Sequence, residues 1–189
     1  MKGNHLLRTT LVYFAFCILI CGASHAQTAA GVEPRRVALY DGIVSFVPPE
    51  GFKPPSDEVI RRKFPNATSP ATVYANERAT TSIAISYHPL QALTPEQLPK
   101  FKSFMKSMLD KQQPGLEWLK DELVEINGVR WVHLEFLSAA VDAKIHNDML
   151  FTSVDQRMLL FNFNSTLSEY SRYENGLARS KASIRVTSK

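Results

Sequence analysis

The residues that could carry out chemistry in this chain lie on two neighbouring predicted strands. His133 and Glu135 alternate along one run of β-forming residues, and His146 and Asp148 alternate along the next. Two imidazoles beside a carboxylate could bind a metal ion or transfer a proton. These residues define one hypothesis for function, a metal-dependent or hydrolytic enzyme that uses the His133/His146 region.

The loop between the two strands decides whether the histidines meet. A tight turn at Ala139-Ala140 places His133 beside His146, whereas a longer loop separates them. The simpler alternative is that Glu122 pairs with His133 across adjacent strands while His146 faces solvent. We favour this alternative, in which the group has no catalytic role.

Motifs typical of the common hydrolases are missing from the sequence. There is no His-Glu-x-x-His run for zinc and no Gly-x-Ser-x-Gly turn for a serine nucleophile. The chain holds 8 glycines, and none of them forms a phosphate-binding loop motif. Convergent active sites can lack a local motif, but these absences favour a protein without catalytic residues, metal ligands or a cofactor.

Trp131 is the best single candidate for an exposed aromatic residue in binding, because tryptophan is enriched at interface hot spots. It lies near Val124 on a predicted face of mixed polarity. The alternative, which we favour, is burial under a helix predicted over residues 99–112. Trp131, His133 and His146 are therefore the candidate binding residues of the chain.

An Asn127-Gly128 pair separates two half-apolar runs and predicts a hairpin with a type I′ turn. A two-residue loop fixes a register in which Glu122 faces His133 and Lys120 faces Glu135, so opposite charges lie across from each other. The other face carries apolar positions that we expect to form the main core. These are Leu119, placed opposite Phe136, with Leu123, Val132 and Leu134.

The predicted helix over residues 99–112 carries a stripe of phenylalanine and methionine. Leu98, Phe101, Met105 and Met108 follow helical spacing, with Phe104 beside them. Methionine side chains adapt easily to a partner, so the stripe could form a binding groove. The simpler interpretation is that it is the buried face of the helix.

The remaining periodicity predicts an α+β protein, an antiparallel β-sheet meander packed with helices. A short helix begins at Ser56 and stops by Pro65, and a last helix begins after Thr166. The other predicted strands are 37–40 and 43–47, joined by a two-residue turn at Asp41-Gly42, then 71–76, 80–88, 144–154 and 157–163.

Residues 1–26 have the pattern of a secretory signal peptide. Lys2 and Arg8 give a basic start, and the apolar run Leu11–Cys21 is shorter than the roughly 20 residues that a helix needs to span a bilayer. Ser24-His25-Ala26 offers small residues for cleavage after Ala26. Lipidation of Cys21 is the alternative, although a large residue precedes that cysteine.

Cleavage would leave a flexible lead-in at residues 27–35 and a single domain at residues 36–189. Both cysteines would leave with the signal, so the mature chain would contain no disulfide. The whole chain carries a net charge of +4, and the signal removes two basic residues. We therefore expect an exported monomer, periplasmic or secreted, that binds no nucleic acid and has no membrane span after cleavage.

The order of these elements resembles that of the PsbP-like and DcrB-like α/β sandwich proteins. The resemblance is carried by Pro49-Glu50-Gly51-Phe52, the strand Ser82–Tyr87, the Asn127-Gly128 turn and Glu169-Tyr170 in the last helix. It covers nearly all of the mature chain. Such proteins are accessory or binding modules, including photosystem lumen subunits, exported bacterial proteins and cytoplasmic chaperones of secreted toxins. The resemblance supplies no catalytic residue.

The leading hypothesis for function is therefore an exported, non-catalytic binding or accessory module that acts through contacts with an unidentified protein partner. The enzyme hypothesis above is the first alternative. A second alternative is an immunity protein that neutralises a secreted toxin.

Overall fold

The structure is a computed structural model and describes residues 35–63, 72–89, 92–113, 115–140 and 142–187. The predicted signal peptide lies outside these residues, as does the predicted lead-in up to residue 34. The elements of the described residues, in chain order, are β1 (Val37–Leu39), β2 (Val44–Phe46), α1 (Asp57–Lys63), β3 (Thr72–Ala75), β4 (Thr81–His88), α2 (Leu98–Gln112), β5 (Glu117–Ile126), β6 (Val129–Ala139), β7 (Lys144–Val154), β8 (Arg157–Thr166), α3 (Leu167–Ala182) and β9 (Arg185–Val186).

A six-stranded antiparallel sheet forms the centre of the fold, with strand order β3-β4-β8-β7-β6-β5. A smaller sheet with order β1-β2-β9 joins the first hairpin to the strand that follows α3. Helix α2 packs on β5 and β6, and α3 packs on β4, β7 and β8. The predicted α+β meander packed with helices is confirmed.

The β5–β6 hairpin has the predicted turn and, over most of its length, the predicted register. Asn127 and Gly128 adopt φ values of 49° and 81°, and Glu122 pairs with His133. The predicted pairing of Leu119 with Phe136 is wrong, because a β-bulge places Trp118 opposite Phe136 instead. The Trp118 ring packs on Phe136 at 5.1 Å, and its Nε1 donates to Asp110.

Leu119 is the extra residue of this bulge and is 49% exposed. Strand β5 lies at the edge of the sheet, where a bulge is common and protects the strand from pairing with another chain. Tryptophan buries a larger apolar area against the core than leucine would. The bulge therefore places the larger side chain under α2 and leaves the smaller one in solvent.

Each face of the central sheet carries an apolar cluster. The predicted core positions Val132, Leu134 and Phe136 pack under α2. The larger cluster lies on the opposite face and includes Trp131 and Phe161, covered by α3 and the small sheet. The prediction of the main core was therefore wrong about the face, because charged residues at one end of the larger cluster make that face look half-exposed in the sequence.

The connection between β1 and β2 is longer than predicted. Leu39 pairs with Val44, so residues 40–43 form the turn rather than Asp41-Gly42 alone. Tyr40 leaves the ladder with a φ of 53° and packs its ring 4.8 Å from that of Tyr87. This aromatic contact accounts for the wider turn.

Candidate functional site

The sheet face that carries Trp131 becomes charged with increasing distance from the β5–β6 turn. Alternation along β6 places His133 and Glu135 on this face. Asp148 of β7 pairs directly with Glu135, and His146 lies two residues before Asp148 on the same face. The four residues, backbone included, are nearly fully buried, with exposures of 3 to 8%. We call His133, Glu135, His146 and Asp148, with their ion-pair partners, the charged cluster.

His133 forms a bridge between two carboxylates. Its Nδ1 lies 3.1 Å from Oε1 of Glu122, as the predicted register requires, and its Nε2 lies 2.9 Å from Oδ1 of Asp148. Both ring nitrogens can donate to these oxygens together only in the imidazolium form. The predicted pairing of Glu122 with His133 is confirmed. His133 also contacts a third strand, β7, through Asp148.

His146 is buried, so the expectation that it faces solvent is wrong. Its Nε2 lies 3.0 Å from Oε1 of Glu135, and its ring stacks on Tyr170 of α3 at 3.8 Å. The two histidines do not lie opposite each other, because His146 pairs with Leu137 across the strands. Glu135 stands between the two imidazoles, so they do not form the pair that the tight-turn alternative requires.

Two lysines complete the charged cluster. Lys120 on β5 lies 2.7 Å from Oε2 of Glu135, and Lys181 on α3 forms an ion pair with Oδ2 of Asp148. A cavity of about 150 Å³ adjoins these groups between the sheet and α3. Its lining includes Glu135, His146, Asp148, Tyr170, Glu174 and Lys181.

The environment of the cluster changes the ionisation of its members. Burial opposes the charged form of Asp148, but the contacts with His133 and Lys181 lower its pKa overall. Burial raises the pKa of the Tyr170 phenol to about 12, and the carboxylates of Glu135 and Glu174 add to this effect. Asp148 is therefore an anion at neutral pH, while the Tyr170 phenol remains protonated.

Replacing Glu135 with glutamine should make the free energy of unfolding less dependent on pH in the acidic range. The hydrogen bond from His146 lowers the pKa of Glu135 from 4.5 to about 2, with a contribution from Lys120. Because the folded-state pKa is depressed, Glu135 stabilises the fold fully above about pH 4.5, and this contribution is lost as the pH falls towards 2. Urea unfolding at several pH values between pH 2 and pH 5 gives the free energy of unfolding as a function of pH. The slope of that dependence should be smaller in Glu135→Gln than in the parent protein, by up to roughly 1.4 kcal/mol per pH unit. Identical slopes in the two proteins would contradict this assignment.

Trp131 is fully buried, so its interpretation as an exposed binding aromatic is wrong. It does not lie under α2, as the alternative proposed, but on the opposite face, where its ring packs edge-to-face on Phe161 at 6.2 Å. Its Nε1 has no hydrogen-bond partner. Among the three candidate binding residues, His133 and His146 therefore belong to the charged cluster, and Trp131 belongs to the core.

The sequence matches no family model, and no curated protein matches it. Solved structures share the fold. The cyanobacterial PsbP protein (CyanoP) of Synechocystis sp. PCC 6803 is 14% identical, with a TM-score of 0.58 over 84% of this chain and 96% of that chain. LpqN of Mycobacterium tuberculosis, described as involved in cell envelope biogenesis, is 11% identical with a TM-score of 0.53, covering 84% and 87% of the two chains.

The Ran-binding protein Mog1p of Saccharomyces cerevisiae is a further structural match, 16% identical with a TM-score of 0.53 over 82% of this chain and 95% of that chain. Identities this low establish the fold and not the function. The PsbP-like α/β sandwich predicted from the sequence is therefore confirmed. Within the described residues, no helix is long and apolar enough to cross a membrane.

Proposed function

We propose that this protein is an exported, non-catalytic binding module that acts through contacts with a protein partner. One of the structures with this fold is named for its binding to Ran, and another for a role in building the cell envelope. Export is supported by the signal-peptide pattern of residues 1–26. The partner site itself is argued from the surface of this chain.

The observation that carries the proposal is an apolar surface along α2. Phe104 is 60% exposed, and its ring lies 6.5 Å from that of Phe101, which in turn packs on Phe151 of β7. Leu160 of β8 pairs with Phe151, and both Leu160 and Met149 are only partly buried. We call Phe101, Phe104, Met108, Met149 and Leu160 the α2 surface.

The composition of the α2 surface suits a protein partner. Exposed aromatic residues supply a large contact area, and thioether side chains adjust to the shape of the partner. The sequence allowed the stripe on this helix to be either core or groove, and an exposed apolar residue beside the buried ones supports a groove. Met105 and Leu109 are buried, whereas Phe104 lies outside the buried face.

A photocrosslinking amino acid at position 104 should capture one discrete partner from the exported fraction of the source cells. The matched control is position 167, because Leu167 is also a large apolar residue on the surface, 41% exposed, but begins α3. With the crosslinking amino acid placed instead at position 108 of the same surface, Phe104→Ser should abolish capture while changing the free energy of unfolding by no more than about 0.5 kcal/mol, as expected for a surface substitution. Equal capture from positions 104 and 167, or undiminished binding by Phe104→Ser, would contradict the proposal.

The identity of the captured protein would also distinguish the two hypotheses for the partner. A component of an assembly supports the accessory role, whereas a secreted toxin supports the immunity alternative.

A catalytic role for the charged cluster has less support. A general base must reach the proton of a substrate, whereas His133 lies between two carboxylates and His146 lies under Tyr170.

A further inference from the structure

We propose that His133, Glu135 and Asp148 form a binding site for one divalent transition-metal ion, and that Zn²⁺ is the ion their donor atoms fit best. One imidazole nitrogen with carboxylate oxygens is a ligand set that zinc accepts. One donor atom from each residue lies within 4.8 Å of the other two. This proposal is independent of the α2 surface, which lies on the opposite face of the sheet.

The distances between donor atoms are suited to a single ion. Nε2 of His133 lies 2.9 Å from Oδ1 of Asp148 and 3.7 Å from Oε2 of Glu135. Ligands placed 2.0–2.2 Å from a tetrahedral zinc are separated by roughly 3.3–3.6 Å. For these two pairs the ion would require shifts of a few tenths of an ångström, within the range of side-chain adjustment, and the donor oxygens of Glu135 and Asp148 lie within 4.8 Å of each other.

Glu122 holds the imidazole of His133 in the orientation that a metal ligand needs. Its Oε1 faces Nδ1 of His133 at 3.1 Å, so a hydrogen on Nδ1 leaves the lone pair of Nε2 directed at the carboxylates of Glu135 and Asp148. Metal-binding histidines commonly donate their other ring N–H to a carboxylate in this way. The arrangement thus supplies both the ligands and the group that orients one of them.

Glu135 provides a second observation that points to a ligand. Its side chain is 9% exposed, and the partner of its Oε2 is the ammonium of Lys120, 2.7 Å away on a side chain that is itself 51% exposed. The cavity of about 150 Å³ is lined by Glu135 and Asp148. It gives an ion a route to these carboxylates and leaves room for a water molecule at an open coordination position.

The lysines of the cluster need not prevent binding. Lys181 contacts Oδ2 of Asp148, whereas Oδ1 is the oxygen that faces His133. Lys120 competes directly for Oε2 of Glu135, but its side chain is 51% exposed and can extend into solvent. Lys120 is therefore expected to be a competitor of the metal.

Titration of the metal-free protein with Zn²⁺, on a chain without a polyhistidine tag, tests this site by calorimetry. We expect one ion per chain. Glu122→Gln should weaken binding by about 10- to 100-fold, as for other groups that orient a ligand, and His133→Ala should weaken it further. Lys120→Gln should strengthen binding, which a purely structural ion-pair network would not do. The visible absorption of bound Co²⁺ should be lost in His133→Ala.

His88→Ala is the matched control, because His88 is an exposed histidine at the end of β4. It should bind Zn²⁺ as tightly as the parent protein. Circular dichroism of each variant checks that it folds. If His133→Ala does not fold, the affinities of Glu122→Gln and Lys120→Gln still decide the test. Absence of stoichiometric Zn²⁺ binding, equal affinities in the parent and Glu122→Gln proteins, or weaker binding by Lys120→Gln would overturn the proposal.

Discussion

Asp148→Ala is expected to lower the free energy of unfolding by about 3–5 kcal/mol, the cost of leaving buried charges without a partner. The Asp148 side chain is 12% exposed and accepts contacts from His133 of β6 and Lys181 of α3. Its removal leaves the buried end of the Lys181 ammonium without its carboxylate, takes away the partner of Nε2 of His133, and releases one of the links between α3 and the sheet. Urea unfolding at pH 7 in the presence of a chelator would measure the loss without any contribution from metal.

Asp121→Ala provides the matched control, because Asp121 also forms an ion pair with a lysine, Lys102, at 3.0 Å. That aspartate is 41% exposed, so its removal should cost no more than about 1 kcal/mol. Adding Lys181→Met to Asp148→Ala should recover some of the loss, since the second change removes the unpaired ammonium. Similar losses for Asp121→Ala and Asp148→Ala would contradict the prediction, because they would show that the charges of the cluster are screened by solvent as well as those of an exposed ion pair.

The sequence was informative wherever local geometry decides the structure. The Asn127-Gly128 turn requires positive φ at both positions, and this requirement sets the register that pairs Glu122 with His133. The same register places Lys120 opposite Glu135, where the structure has an ion pair. One turn and the alternation of side chains along two strands therefore predict four of the seven residues of the charged cluster, Lys120, Glu122, His133 and Glu135.

The contacts that α3 makes with the cluster depend on where this distant helix packs, which no local pattern contains. Tyr170 and Lys181 reach His146 and Asp148 only because α3 crosses this end of the sheet. The burial of His146 follows from that crossing, and so does the cavity. The bulge at Leu119 was missed for a related reason, since it is set by the fit of Trp118 under α2.

The central position of β6 also explains why the sequence favoured the wrong core face. A strand that is covered on both sides buries both sets of alternating residues, so the usual contrast between an apolar and a polar face is weak. On β6, Val132 and Leu134 face α2, whereas Trp131 and His133 face α3. Charged residues on the α3 side can be buried because they neutralise each other. The sequence pattern alone predicts that such residues are exposed.

Trp131→Ala is expected to destabilise the protein by about 3–5 kcal/mol, as removal of a large buried aromatic side chain does. Trp131 is fully buried in the larger apolar cluster against Phe161. Trp131→Phe should cost far less, because it keeps an aromatic ring and removes an indole N–H that has no hydrogen-bond partner. Thermal and urea unfolding of the two variants would give both values.

The pair of variants also distinguishes a core residue from a binding residue. If Trp131 acts only through the core, Trp131→Phe should capture the same partner through a crosslinker at position 104 as the parent protein does. A contact residue would instead lose binding in Trp131→Phe while stability changed little. Loss of capture by a stably folded Trp131→Phe variant would therefore show that Trp131 contributes to partner binding as well as to the core.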